Sequence, residues 1–323
     1  MGIKMSLLEI KNLNVVYKSN DKRIRAVNDF SLNVNLQESV GIVGESGSGK
    51  TTLIMAMLRL LSQNTVDING EVLYDGVDLL TLKEEELRKI RWKEISLVFQ
   101  KSMNSLSPVH KIGKQLIDIY KIHNSKLKQI EVKENILEIF KLVNLSEKIF
   151  DCYPHELSGG MMQRVSIVLS LIFYPRLLIF DEATTALDVV NQGQILDEII
   201  KLEEKLKITR ILITHDLSVV STTCKKVAVM YAGCLVEYGD VLNVLVNPKH
   251  PYTKDLLNSY PSLTESRKNF IGISGTLPDL SQVNYGCIFA NRCKKSKDIC
   301  FNTKPRIINI SGDWKVACHL IQE

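Results

Sequence analysis

No stretch of about 18 consecutive apolar residues occurs in this 323-residue chain, so the sequence offers no membrane-spanning helix. The best candidate, "VSIVLSLIFYPRLLIF", is cut by Pro175 and Arg176. The opening "MGIKMSLLEI" lacks the apolar core of a secretory signal and matches the M-G-x-x-x-S acylation pattern only loosely. Internal repeats, low-complexity tracts and heptad runs are missing too, which removes solenoids and long coiled coils. The cysteine count is seven, an odd number that argues against a disulfide framework. Together these absences predict a cytosolic protein whose thiols stay reduced. Net charge is also absent from most of the chain. Residues 241–323 hold 11 Lys+Arg and 6 Asp+Glu, which leaves 30 of each in residues 1–240. The neutral body argues against a nucleic-acid partner. The basic tail suits either a solvated surface or contact with an acidic partner, a membrane face or an anionic cofactor.

What is present reads as an ordinary globular composition, 45% hydrophobic and 24% charged. Residues 7–40 alternate apolar and polar, which predicts half-buried antiparallel strands. "SVGIVG" (39–44) is a short apolar run, as a buried central strand should be. A helix is expected from about Lys50. Short strands are expected around "YDGVDLL" and "ISLVFQ", and helix throughout 110–172. "RLLIFDE" (176–182), "RILITHD" and "KVAVMYAGCLVEYG" read as strands, and "QILDEIIKLEEKL" as a helix. Strands alternating with helices imply a mainly parallel sheet covered on both faces. After Asp240 the texture changes: prolines recur at 248, 251, 261, 278 and 305, and long helices cease after about residue 260.

Three motifs carry chemistry. "GESGSGKTT" (44–52) is G-x-x-x-x-G-K-T between a strand and a helix, the context a phosphate-binding loop requires. Gly44, Ser46, Gly47, Ser48 and Gly49 would cradle phosphate with backbone N–H groups. Lys50 would reach the β- and γ-phosphates of ATP, Thr51 would offer a hydroxyl to Mg²⁺, and Thr52 completes the loop. In "LLIFDE", Asp181 ends a buried strand where it can reach Mg²⁺, and Glu182 follows, placed to activate water. In "LSGGMMQR" (157–164), Ser158, Gly159 and Gly160 open a helix and form a second anion-binding N-terminus.

With these motifs the chain resembles the ATPase subunits of ABC transporters, whose signature is LSGGQ. Met161 stands here in place of the Gln, and Ala183 in "DEAT" in place of a loop proline. The resemblance implies an α/β P-loop NTPase fold with a mainly parallel central sheet, an N-terminal antiparallel β layer, a helical subdomain and a small C-terminal extension. It implies that Ser158 of one subunit closes on ATP held by another in a head-to-tail dimer. It also implies roles for single residues: Tyr17 stacks on adenine, Gln100 senses Mg²⁺ and water, Asp188 lies at the dimer interface, and His215 contacts the γ-phosphate.

"FQKSMNSLSPVHKIGKQL", "HPYTKDLL" and "ISGTLPDL" are similar to segments of the oligopeptide/dipeptide/nickel importer subfamily. The division expected is a nucleotide-binding domain over 1–240, with its helical subdomain at about 101–172, and an extension over 241–323. Cys287, Cys293, Cys300 and Cys318 form C-x5-C-x6-C-x17-C. In some subfamily members four similarly placed cysteines bind a [4Fe–4S] cluster. Four thiolates are a full ligand set for one; zinc and free packed thiols are the other readings. The partners implied are a second ATPase subunit, two transmembrane permease subunits and an extracellular substrate-binding protein. The place implied is the cytoplasmic face of the membrane. Peptides, nickel chelates and oligosaccharides are the substrates such importers take.

Overall fold

The computed structural model describes residues 6–19, 22–99, 106–124, 127–182, 189–259, 272–282 and 285–321. Among the described residues no helix is long and apolar enough to cross a membrane. The chain divides into two units, one of Met1–Thr81 with Leu212–Glu323, the other of Leu82–Ile211.

The alternating N-terminal stretch forms β1 (Ser6–Ser19) and β2 (Lys22–Asn35), paired antiparallel with Ile10 opposite Leu32. The largely apolar "SVGIV" forms β3 (Ser39–Val43), buried at every residue. Helix α1 (Lys50–Met57) follows the glycine-rich loop. β4 (Val66–Tyr74) pairs with the other edge of β1, and β5 (Val77–Asp78) with β4. This small sheet has the order β2-β1-β4-β5. It is the antiparallel layer that the N-terminal alternation predicts.

The second unit begins with α2 (Glu84–Ile90), a helix where the sequence reading placed only short strands. Its signal was charge. Three glutamates occupy its first turn and Arg88 and Lys89 its last, which complements the helix dipole. β6 (Ile95–Val98) pairs parallel with β7 (Leu177–Asp181), Val98 opposite Phe180. Among the described residues the helical stretch between them forms three helices. These are α3 (Ile112–His123), α4 (Gln129–Leu142) and α5 (Gly159–Leu171), with 3₁₀ turns at Glu147–Asp151 and Pro154–Glu156. α6 (Val189–Leu206) closes the unit, and the bidentate Arg164–Glu198 ion pair, at 2.9 and 3.0 Å, ties it to α5.

β8 (Thr209–Ile213) carries the chain back to the first unit, where the Thr214 N–H donates to the Ile42 carbonyl of β3. α7 (Leu217–Thr223) leads to β9 (Lys226–Tyr231), parallel to β3, and a tight turn reverses into β10 (Cys234–Asp240). α8 (Val241–Val246), α9 (Pro251–Asn258) and α10 (Asp298–Asn302) are short. The chain then adds a hairpin, β11 (Ile308–Ser311) and β12 (Trp314–Val316), to the sheet, with Val316 opposite Glu237 of β10. In the first unit the strands run β11-β12-β10-β9-β3.

"HPYT" is a structural device. His250 caps α9, its Nδ1 accepting the Tyr252 N–H at 3.0 Å, with Pro251 in the first turn, where a missing N–H costs nothing. Tyr252 packs against Tyr231 and Phe289, ring centroids 4.6 and 5.4 Å away. The fully buried Glu237 carboxylate accepts the N–H groups of Lys249 and His250, each at 2.9 Å, and Trp314 Nε1–H at 3.1 Å.

Candidate nucleotide site

The loop after β3 is forced into shape by its glycines. A Cβ at Gly44 would collide with the Met230 carbonyl oxygen, and one at Gly49 with that of Ala26. Gly49 has φ +96°, a left-handed conformation, and caps α1. Glycine alone takes both positions without strain. The result wraps the loop around Lys50, which is 5% exposed. Lys50 Nζ donates to the Gly44 carbonyl at 2.8 Å, the Glu45 carbonyl at 2.9 Å and Ser48 Oγ at 3.2 Å. Ser48 is buried, while Ser46, Gly47 and Thr51 face solvent. A buried ammonium held by three oxygen atoms of its own loop, beneath an exposed turn at a helix N-terminus, is a place for a polyanion.

Two further predicted residues lie in this unit. Tyr17, on β1, shares a hydrogen bond of 3.2 Å with Thr52 of α1. His215 is exposed just past β8, and the adjacent Asp216 caps α7 by accepting the Ser218 N–H at 2.8 Å. The structure therefore gathers Gly44, Ser48 and Lys50 directly and sets Tyr17 beside Thr52.

In the second unit, every residue of β7 is buried, and Asp181 at its C-terminal end is 4% exposed. Glu182 is half-buried with φ +49°, unusual for a residue with a side chain. Ser158 caps α5, its Oγ accepting the Met161 N–H at 3.3 Å. Ser158 and Gly159 are exposed, and a Cβ at Gly159 would meet open space. The first turn of α5 thus faces outward, while nearly all the rest of the helix is buried. Met161 is 37% exposed in that turn. Gln100, Ala183 and Asp188 lie outside the described residues.

The four C-terminal cysteines converge. Cys287, Cys293, Cys300 and Cys318 line one cavity with His250 and His319. The Cys287 N–H donates to the Cys300 carbonyl at 2.7 Å. Burial, then the neighbouring Cys300, Cys318 and Cys293, push the Cys287 thiol up to about 12. Burial likewise raises Cys293 and Cys318. The donor set suits a [4Fe–4S] cluster in number and convergence. The space does not: the cavity is about 10 Å³, no more than one water needs. Among the described residues no group of three or more His, Cys, Asp or Glu is disposed to hold a metal ion. The iron–sulfur centre expected from the sequence is therefore not supported by this packing. Cys152, Cys224 and Cys234, read as core residues, are only half-buried.

One set of contacts had no signal in the sequence. Arg292 Nη1 meets Glu45 Oε1 and Oε2 at 3.1 and 3.0 Å, across 247 positions. The Glu45 N–H also donates to the Tyr252 hydroxyl at 3.0 Å.

Comparison with known proteins agrees with this geometry. Residues 27–185 match the ABC transporter family, and residues 236–300 match the oligopeptide/dipeptide transporter C-terminal region. The dipeptide transport ATP-binding protein DppD of Caldanaerobacter subterraneus subsp. tengcongensis is 42% identical over 318 residues, covering 98% of each chain. The oligopeptide transport ATP-binding protein OppD of Escherichia coli is 41% identical, over 93% of this chain and 89% of that one. Among solved structures, the dimeric bacterial ABC transporter cassette MJ0796 aligns with TM-score 0.65 and 29% identity, over 72% of this chain and 98% of that one. The same cassette bound to ADP and Pi aligns equally well. The loop around Lys50, the exposed first turn of α5 and the anchored "HPYT" segment place this chain in the ABC transporter ATP-binding family, in its oligopeptide/dipeptide branch.

Proposed function

We propose that this chain couples MgATP binding and hydrolysis to the uptake of di- and oligopeptides, as one ATPase subunit of an importer at the cytoplasmic face of the membrane. The observation that carries the reading is the caged Lys50, in a chain that also bears the oligopeptide-type extension. Lys50 exchanges its loop carbonyls for the β- and γ-phosphate oxygens, and the loop N–H groups hold the rest of the chain of phosphates. Thr51 and Asp181 supply the hydroxyl and carboxylate oxygens that Mg²⁺ prefers. An ion held there would supply positive charge to offset that of the phosphates. Glu182 orients and deprotonates the attacking water. Tyr17 stacks on adenine, His215 and Gln100 attend the γ-phosphate and water, and Asp188 serves the dimer interface. Ser158, Gly159 and Gly160 offer their helix N-terminus to ATP held by a second ATPase subunit, in a head-to-tail pair.

The nucleotide-binding domain is assigned to residues 1–240, with a helical subdomain at about 101–172, and the extension to 241–323. Two permease subunits and an extracellular binding protein complete the proposed importer, with two different ATPase subunits in the pair. A finer reading, a [4Fe–4S] cluster that staples the extension, rests on the convergence of Cys287, Cys293, Cys300 and Cys318 alone.

The test is ATP hydrolysis by the assembled complex, with and without Lys50→Ala, together with identification of the ligand carried by the binding protein. A complex with all partners present that does not hydrolyse MgATP would sink the enzyme reading. A binding protein that carries no peptide would sink the substrate reading alone.

A further inference from the structure

Glu45 is a liability where it stands. It follows the first glycine of the phosphate loop, and its own carbonyl is a ligand of Lys50. An uncompensated carboxylate there would repel a triphosphate. The C-terminal extension removes that charge. Arg292, whose side chain is 7% exposed, places Nη1 between both Glu45 oxygens and against the Tyr231 hydroxyl, 3.2 Å away. Its other nitrogens are also engaged: Nε donates to the Ser274 carbonyl at 2.8 Å and Nη2 to the Ile273 carbonyl at 3.1 Å. A guanidinium fixed by two carbonyls, a phenol and a carboxylate has no freedom to wander, and its planar fork is what such a site needs. Tyr252 fixes Glu45 from the backbone side, its hydroxyl accepting the Glu45 N–H. Leu277 of the extension closes over the loop as well, its Cδ1 3.3 Å from where a Gly47 Cβ would lie.

We propose that Arg292 is a positioning residue for nucleotide binding: it neutralises and pins Glu45, so that the phosphate loop offers ATP only its N–H groups and Lys50. The extension is then a working part of the ATP site. The proposal rests on the nucleotide reading of the loop, and wild-type protein that failed to bind ATP would overturn that reading first.

The test is titration of the full-length chain with a fluorescent ATP analogue, with folding checked by near-ultraviolet circular dichroism. Arg292→Met should weaken binding about tenfold, the scale of one uncompensated neighbouring charge. In the assembled importer it should raise the KM for ATP and leave kcat within about twofold. Adding Glu45→Gln to Arg292→Met should restore affinity to within about threefold, because the repelling charge is gone. A purely structural role for Arg292 would not give that rescue. Glu45→Gln alone, which leaves the Ser274, Ile273 and Tyr231 anchors of Arg292 in place, should bind ATP as tightly as wild type or more so. It keeps the proposal testable if Arg292→Met does not fold. Unchanged affinity in Arg292→Met, no rescue in the double variant, or weakened binding in Glu45→Gln would each overturn the proposal.

Discussion

His250 makes stability depend on pH in a way that one substitution isolates. The ring is 1% exposed, and burial lowers its pKa from 6.5 to about 3. Its Nδ1 already accepts the Tyr252 N–H, so the folded state holds it neutral. The unfolded chain takes a proton below about pH 6.5, which the folded chain refuses until about pH 3. The stabilisation is therefore complete above pH 6.5 and falls as the pH drops toward 3, at up to about 1.4 kcal/mol per unit. Between pH 7 and pH 5 the loss from this one residue is roughly 2 kcal/mol. His250→Asn removes the titrating group and keeps an oxygen able to cap α9. Urea unfolding of both proteins at pH 7, 6 and 5 measures the difference. Wild type should lose its advantage over the variant by roughly 2 kcal/mol across that range. Parallel curves would refute the reasoning, because every other titrating group is shared.

Glu182→Gln should leave ATP binding intact and lower hydrolysis in the assembled importer by about 10²- to 10⁴-fold, read as phosphate release. Glu237→Gln turns an amide nitrogen toward N–H donors it cannot satisfy, and should cost roughly 1–3 kcal/mol in urea unfolding for each one orphaned. Gly113→Ala drives a methyl group into the Phe150 ring and should destabilise the chain by about 1–3 kcal/mol by the same assay. Protein purified without oxygen should contain about four irons with matching sulfide, lost in Cys293→Ser. A folded, metal-free preparation would reduce the four cysteines to packing.

The nucleotide loop was legible because its chemistry is local. Gly44, Gly49 and Lys50 fall in one nine-residue motif, and Lys50 finds three acceptors inside that loop, although the carbonyls that exclude a Cβ at the two glycines belong to the distant Met230 and Ala26. The β1–β2 pair was legible from period-two alternation, and β3 and β7 from short apolar runs. α2 was not legible because its apolar content is slight: Leu87 alone of its residues is buried, and its start is marked by charge, Glu84–Glu86, rather than by apolar periodicity. α7 was hidden in "LSVVSTT", whose β-branched residues read more as strand than helix. The β11–β12 hairpin escaped because its strands span four and three residues, too short for alternation to show. Arg292 and Glu45 could not have been paired by any local rule. Each is an ordinary charged residue, and only the fold carries one to the other.

The late hairpin has a consequence for how the protein is made. Among the described residues β10 finds its outer partner in β12, through Glu237 with Val316 and Tyr238 with Lys315, and through the Ala317 N–H to the Val236 carbonyl. Until translation passes residue 317, a growing chain carries a row of unsatisfied backbone groups along β10, beside a hydrophobic sheet. Such a row recruits strands from other chains. A nascent chain stalled or truncated just upstream would hold every nucleotide motif yet present a sticky flank. Premature stops in this region should surface as insoluble protein rather than as soluble subunits with altered ATP turnover.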